Sequence, residues 1–160
     1  MNDLAIRPLR DVAEARFCAD FMAASDPWLT LGVTAGQIFQ RLTDPAREVH
    51  VALMDDKIVG TLILHLAGPL NGYIQTIAVH PDWQQRGLGR RLMTFAEDRI
   101  FRQSPNVFLC VSTINLRALK FYETLGYQRV GELPDYLVEG FTEIMLRKTK
   151  GPLLAFVPPT

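Results

Sequence analysis

The sequence has few cysteines, no long hydrophobic run and no excess of either charge, and each shortage argues against a class of protein. Of its 160 residues only Cys18 and Cys110 are cysteines, too far apart for a CxxC zinc site or a disulfide framework. Seventeen basic residues balance seventeen acidic ones, which argues against a general binder of nucleic acid or anionic membranes. No stretch approaches the roughly 20 apolar residues of a membrane span, and the N-terminus does not resemble a secretory signal. We therefore expect a metal-free cytoplasmic protein with buried free thiols.

The spacing of apolar residues predicts a chain in which strands and helices alternate after an initial helical region. The composition and length are those of one domain, expected over residues 1–147, with a tail at 148–160 that is either disordered or packed on the body or a neighbouring subunit. Together the elements predict one mixed α/β sheet flanked by helices. The expected strands are Leu4–Arg7, Val49–Leu53, Lys57–Leu66, Tyr73–Val79, Val107–Val111 and a final region at Leu137–Leu146 with a break at Gly140. The expected helices start at Asp11, Thr34, Leu88 and Asn115, and Trp28–Gly32 is expected to be a loop.

The clearest chemical signal is a turn that contains two glycines between a strand and a helix, Gln84-Gln85-Arg86-Gly87-Leu88-Gly89-Arg90. The first N–H groups of a helix are unpaired and carry partial positive charge, so phosphates bind there readily. Glycines at such a turn let the backbone approach an anion closely. The spacing matches neither the dinucleotide fingerprint nor the nucleoside-triphosphate loop, and taken alone it is equally typical of a structural turn.

Two motifs in order resemble the GNAT family of N-acetyltransferases. The first is Ile77-Ala78-Val79-His80-Pro81 running into Gln84-x-x-Gly87-x-Gly89, and the second is Asn115-x-x-Ala118-x-x-Phe121-Tyr122-x-x-x-Gly126-Tyr127. The run at 140–146 resembles the family's last strand, so that the resemblance spans about residues 3–147. It implies the GNAT acyl-CoA N-acyltransferase fold, with a central, mostly antiparallel sheet flanked by helices. It also implies direct transfer of the acetyl group of acetyl-CoA to a primary amine.

The resemblance also assigns roles to individual residues. Tyr122 would stand beside the thioester sulfur as the catalytic acid, because a phenol of pKa about 10 stays protonated at neutral pH and donates to a leaving thiolate. Without the resemblance, Tyr122 is an ordinary core residue of its helix. The residues that would bind acetyl-CoA are Ile77, Ala78 and Val79 along the pantetheine arm, Gln84, Gln85, Arg86, Gly87, Leu88, Gly89 and Arg90 around the pyrophosphate, and Asn115 near the cofactor.

The sequence leaves the general base open. Family members that acetylate the N-termini of ribosomal proteins carry a glutamate in the strand before the tyrosine helix, where this chain has Cys110. Since no base stands near Cys110 in sequence, an inert buried thiol is expected there. The remaining candidates are His65, Glu139 and Glu143, or water alone.

The acceptor is expected to bind among residues outside the two motifs, and the sequence does not choose between a small-molecule amine and a protein or peptide N-terminus. The candidates for its pocket are Trp28, Leu29, Thr30, Tyr136 and Glu139. A non-catalytic acyl-CoA-binding or sensing domain is the alternative function, and succinyl-CoA is an alternative donor. We expect no nucleic-acid or membrane partner, while a homodimer through the last strands or the tail is compatible with the sequence.

Overall fold

The computed structural model describes residues 3–160, which form a seven-stranded sheet in the order β1-β2-β3-β4-β5-β7-β6. All neighbouring strands are antiparallel except β4 and β5, which are parallel. This arrangement confirms the expected mixed α/β sheet. The strands are β1 (Ala5–Pro8), β2 (Glu48–Met54), β3 (Lys57–His65), β4 (Tyr73–Val79), β5 (Asn106–Ser112), β6 (Gln128–Pro134) and β7 (Thr142–Thr149); the helices are α1 (Val12–Ala23), α2 (Trp28–Leu31), α3 (Ala35–Leu42), α4 (Leu88–Ile100) and α5 (Leu116–Thr124).

Apolar side chains form one packed cluster on each face of the sheet. Leu62 of β3 packs with Leu92 of α4 on one face. Ile63, its neighbour in β3, packs with Ala15 of α1 and Ile38 of α3 on the other. Because successive side chains of a strand point to opposite faces, β3 contributes to both clusters. None of the described helices is long and apolar enough to cross a membrane.

Strands β4 and β5 are paired only where they begin. Tyr73 faces Phe108 and Ile74 faces Leu109, and the described register of this pair ends there. The antiparallel register between β3 and β4 skips Gln75, which makes a bulge at the same level. The two strands therefore diverge toward their carboxyl ends and leave a gap between them. Each leads into a helix, α4 after β4 and α5 after β5.

Gly72 lies where the two diverging strands meet. Its φ of +103° is in the left-handed region, and a Cβ placed there would lie 2.3 Å from the carbonyl oxygen of Asn106. The Gly72 carbonyl oxygen accepts a 3.0 Å hydrogen bond from the backbone N–H of Phe108. Both the backbone conformation and the close approach require glycine.

The prediction of a loop at Trp28–Gly32 is wrong, because Trp28–Leu31 forms the short helix α2. The Asp26 carboxylate accepts a 3.1 Å hydrogen bond from the backbone N–H of Thr30 and so stabilises this turn. A helix of one turn is too short to show an apolar period, so sequence spacing does not detect it.

The prediction of one final strand region at Leu137–Leu146 is also wrong. The structure has two strands in this part of the chain, β6 and β7, with different bounds. β6 was not expected, because nearly all of its side chains are exposed and show no alternation. Between β6 and β7 the chain turns, and the Asp135 carboxylate accepts a 2.7 Å hydrogen bond from the Gly140 N–H. Val138 packs against the α1–α3 cluster, so its apolar character reflects packing of the turn. Strand β7 continues to Thr149, two residues past the expected domain boundary.

Candidate active site

Three neighbouring cavities, which share lining residues, lie in and beside the gap between β4 and β5. The helix-side cavity, of about 480 Å³, is lined by the start of α4 and by α5. The loop-side cavity, of about 370 Å³, is lined by residues of α3, β5 and β7 and by the loops after β3 and β6. The junction cavity, of about 100 Å³, lies between them. It shares Ile77, Asn115, Ala118 and Tyr122 with the helix-side cavity and Arg41, Gln75, Cys110, Leu137 and Glu143 with the loop-side cavity.

The amino end of α4 opens onto the helix-side cavity. Gly87 is the N-cap residue, with φ of +76° and no side-chain capping hydrogen bond. The backbone N–H groups of the first helical turn have no intrahelical acceptor, and the helix dipole makes this end positive. Such a turn binds the phosphates of an extended ligand through its backbone.

The residues expected to bind acetyl-CoA converge on this cavity. All of them line it except Ala78 and Arg86. The side chain of Ala78 is only 4% exposed because it packs in the core with α1, so that only its backbone is available to a ligand. The Arg86 guanidinium lies 4.8 Å from the centre of the Trp83 ring and donates a 3.3 Å hydrogen bond to the Asp82 carbonyl oxygen.

Tyr122 lies on the wall shared by the helix-side and junction cavities. Its side chain is 8% exposed and packs between Phe121 and Tyr127, with ring centroids 5.3 and 6.0 Å away. Its hydroxyl has no hydrogen-bond partner among the described residues. Burial raises the pKa of Tyr122, so the phenol is protonated at neutral pH. Asn115 fixes the start of this helix, because its side-chain oxygen accepts a 3.2 Å hydrogen bond from the Ala118 N–H.

Glu143 lies on the wall shared by the junction and loop-side cavities. It is on β7 opposite Ser112 of β5 and is only 3% exposed. Its Oε1 is buried without a hydrogen-bond partner among the described residues. Burial raises the pKa of Glu143, while the nearby Ser112 hydroxyl opposes this shift. The carboxylate is therefore a stronger base than an exposed glutamate.

The other residues considered as bases have different surroundings. Burial raises the pKa of the Cys110 thiol, with an opposing hydrogen bond from Tyr73, so that Cys110 stays protonated at neutral pH. His65 lines the loop-side cavity. Glu139 is exposed and lines none of the described cavities.

The residues expected to bind the acceptor fall into two groups. Trp28 lines the junction cavity and Tyr136 lines the loop-side cavity. Leu29, Thr30 and Glu139 line none of the described cavities, and the Thr30 hydroxyl instead donates a hydrogen bond to Asp26. Three further lining residues, Arg41, Gln75 and Leu137, were not expected from the sequence. They come from elements distant in the chain, and neither motif includes them.

Comparison with known proteins gives a family match over most of the chain. The model of the Acetyltransferase (GNAT) family matches residues 10–127. N-alpha-acetyltransferase RimI of Mycobacterium tuberculosis is 31% identical over 147 residues, which are 87% of this chain and 89% of that protein. N-alpha-acetyltransferase 30 of Schizosaccharomyces pombe is 30% identical over 95 residues, which are 56% of this chain and 63% of that protein.

Among solved structures, a GNAT family acetyltransferase from Elizabethkingia anophelis with acetyl-CoA bound has the same fold. Its TM-score is 0.71 at 18% identity, over 93% of this chain and 99% of that chain. Together with the family match, these comparisons favour a transferase over a domain that only binds or senses an acyl-CoA. The described residues include no cluster of three or more histidine, cysteine or carboxylate side chains suited to a metal ion.

Proposed function

Because this chain belongs to the GNAT family and transfers the acetyl group of acetyl-CoA to an amine, we propose that it acetylates an α-amino group in the junction cavity. Glu143 acts as the base and Tyr122 as the acid. The observation that carries this proposal is the placement of two unpartnered oxygens, the buried Oε1 of Glu143 and the hydroxyl oxygen of Tyr122, in the lining of one small cavity. One belongs to a carboxylate whose pKa burial raises, and the other to a protonated phenol.

The helix-side cavity is the proposed site for acetyl-CoA. The unpaired N–H groups at the start of α4, from Gly87 to Arg90, bind the pyrophosphate oxygens through the backbone. The Arg90 side chain adds a positive charge to the same cavity. The pantetheine arm follows the edge of β4 along Ile77 and Val79, which lies open beyond the short pairing with β5. This direction brings the thioester to Tyr122 and to the entrance of the junction cavity.

The Glu143 carboxylate and the Tyr122 phenol then carry out the proton transfers of the reaction. Glu143, directly or through one water, takes a proton from the acceptor ammonium, which leaves a nitrogen lone pair. That nitrogen attacks the thioester carbonyl carbon, the new C–N bond forms, and the C–S bond breaks as the tetrahedral intermediate collapses. Tyr122 donates its proton to the departing thiolate. The nitrogen loses its second proton to water as the amide forms, and water returns a proton to the Tyr122 phenolate. The products are an amide, free coenzyme A and the one proton that Glu143 releases to solvent.

The proton balance favours an α-amine as the acceptor. Deprotonating an amine of pKa about 10.4 at pH 7 costs about 4.6 kcal/mol, whereas an α-amine of pKa about 8 costs about 1.4 kcal/mol. A single carboxylate removes a proton more readily in the second case. The relatives named N-alpha-acetyltransferase support the same choice, because their names specify the α-amine.

The test is an internal competition between the two amines of lysine. Purified protein is incubated with acetyl-CoA and either free L-lysine or short peptides that begin with lysine. The acetylated nitrogen is located by tandem mass spectrometry. We expect acetyl on the α-nitrogen in at least one of these acceptors, and acetylation mainly at the ε-nitrogen would refute the assignment. Calorimetric titration with acetyl-CoA, coenzyme A, NAD and ATP tests the cofactor site separately, since only the first two should bind.

Three further properties belong to this proposal. The cytoplasm is the proposed location, supported by two free thiols, as is usual in a reducing compartment. The catalytic domain is proposed to span residues 1–147 together with the last two residues of β7, so that the tail begins after Thr149. A homodimer is proposed through that tail, whose Leu154 is 100% exposed and Val157 82% exposed.

A further inference from the structure

We propose that the acceptor carries a carboxylate near its amine, and that Arg41 binds that carboxylate. This inference rests on the proposed function, because it concerns the acceptor of the same site. Arg41 lies in the last turn of α3 and is half-buried. It lines both the junction cavity and the loop-side cavity, where no motif residue contributes a positive charge.

The Arg41 side chain has no partner within residues 3–160: it makes no hydrogen bond, ion pair or ring contact there. Arg47, in the same loop-side cavity, is different. Its guanidinium donates a hydrogen bond to Gln75 and lies 3.6 Å from a carboxylate oxygen of Asp44. Half-buried arginines usually have an anionic or carbonyl partner, because removing their charge from water is costly. The unpaired Arg41 therefore has its full set of donors available to a ligand.

Helix polarity alone offers a simpler reason for the charge. A cation in the last turn interacts favourably with the negative end of the helix dipole. This accounts for a basic residue on α3, but it does not account for a guanidinium that lines the junction and loop-side cavities. If Arg41 only interacts with the helix dipole, its replacement should not change the preference among acceptors. If Arg41 binds the acceptor carboxylate, its replacement should remove the preference for acceptors that carry one.

The charges of the cavity wall are complementary to a zwitterion. Glu143 and Arg41 both line the junction and loop-side cavities, yet they form no ion pair with each other. An acceptor with an ammonium and a carboxylate places the first against Glu143 and the second against Arg41. The planar guanidinium matches a carboxylate through two parallel hydrogen bonds. A carboxylate fixed in this way would hold the neighbouring amine at the thioester.

Matched acceptors test the inference and separate two sources of the carboxylate. L-Alanine against L-alaninamide tests the α-carboxylate of a free amino acid. A peptide amide that begins with aspartate, against one that begins with asparagine, tests a side-chain carboxylate. For each acceptor the rate of acetylation is measured by mass spectrometry with wild-type protein, Arg41→Gln, Arg41→Lys and the control Arg16→Gln. The control removes the same charge from a residue on α1 that lines none of the described cavities.

We expect a preference of about 10-fold or more for the carboxylate acceptor in at least one pair, as for a charged hydrogen bond. Arg41→Gln should abolish this preference, Arg41→Lys should retain part of it, and Arg16→Gln should leave it unchanged. Equal rates in both wild-type pairs, or a preference that survives in Arg41→Gln, would overturn the inference while the proposed function stands. If no α-amine is acetylated at all, both fail together. Should Arg41→Gln not fold, the wild-type pairs and Arg41→Lys decide.

Discussion

Replacing Glu143 with glutamine should reduce activity and increase stability at the same time. The substitution keeps the shape of the side chain but removes its ability to take a proton and its negative charge. In the native protein this charge is buried at 3% exposure, with one oxygen unpartnered among the described residues. A site with this arrangement favours proton transfer and disfavours folding, because the native state must hold the charge away from water.

The size of each effect follows from the geometry. A general base accelerates a reaction by about 10²- to 10⁴-fold, so kcat/KM of Glu143→Gln should fall by at least about 100-fold at neutral pH. A buried polar atom without a partner costs about 1–3 kcal/mol, and an uncharged amide recovers part of this. We therefore expect a gain of about 1 kcal/mol in the free energy of unfolding at pH 8. In a domain of this size, that corresponds to an increase of about 2–4 °C in Tm.

The sign of the pH dependence of the stability that Glu143 contributes follows from the shift of its pKa. Because burial raises the pKa of Glu143, the native state holds this proton more tightly than the unfolded state. The contribution of Glu143 to stability is thus fully present below the unfolded pKa of about 4.3 and is lost as pH rises through the native pKa. The stability difference between Glu143→Gln and wild type should be small near pH 4 and larger at pH 8. Wild-type kcat/KM should rise with pH only at pH values above those at which an exposed glutamate titrates.

Two measurements check this reasoning, with Glu132→Gln as the matched control. Glu132 is an exposed carboxylate of β6, so its replacement makes the same change of charge outside the cavities. Thermal unfolding is followed from pH 4 to pH 8, and kcat/KM is measured over the accessible part of the same range. The assignment is refuted if Glu143→Gln keeps its activity within about threefold. The burial argument is refuted if the variant is less stable than wild type at pH 8.

Other substitutions test the remaining parts of the structure. Tyr122→Phe should lower kcat by about 100-fold and leave the calorimetric Kd for acetyl-CoA within about twofold, whereas equal loss of both would remove the role of the acid. Arg90→Gln should weaken coenzyme A binding about 3- to 10-fold, more at low salt than at high salt, because Arg90 lines the helix-side cavity. Arg86→Gln should change that affinity much less, and equal effects would contradict the placement of Arg86 over Trp83. Gly72→Ala should cost about 2–4 kcal/mol in the free energy of unfolding, since its Cβ would meet a backbone oxygen at 2.3 Å. Gly131→Ala, which meets nothing within 4 Å, should stay within about 0.5 kcal/mol, and similar losses in the two glycine variants would refute the packing argument.

Much of the cofactor region was predictable from the sequence because its residues are close together in the chain. The strand at Tyr73–Val79, the turn and the start of the helix at Leu88 form one continuous segment. Local rules of strand alternation, glycine turns and helix spacing apply within such a segment. The position of Tyr122 on its helix followed in the same way. The identity of the family was read from these two motifs and is now confirmed.

Elements without a local pattern could not be predicted. β6 has mostly exposed side chains, and its strand conformation depends on pairing with β7. The helix α2 is a single turn that is stabilised by a hydrogen bond from the Thr30 N–H to the Asp26 carboxylate. Neither element shows a regular spacing of apolar residues in the sequence. Each is stabilised instead by hydrogen bonds to residues that a spacing pattern does not include.

The sequence by itself determined the family, the alternation of strands and helices, and the positions of Tyr122 and of the glycine turn before α4, because these depend on neighbouring residues. Only the tertiary structure distinguished Glu143 from Glu139. These two carboxylates are four residues apart, and only Glu143 is buried beside the cavity by the register of β7 against β5. Arg41 is likewise brought to the cavity only by the packing of α3 on the sheet. Burial and proximity across strands far apart in sequence set the pKa and the available partners of these groups, and no local pattern encodes them.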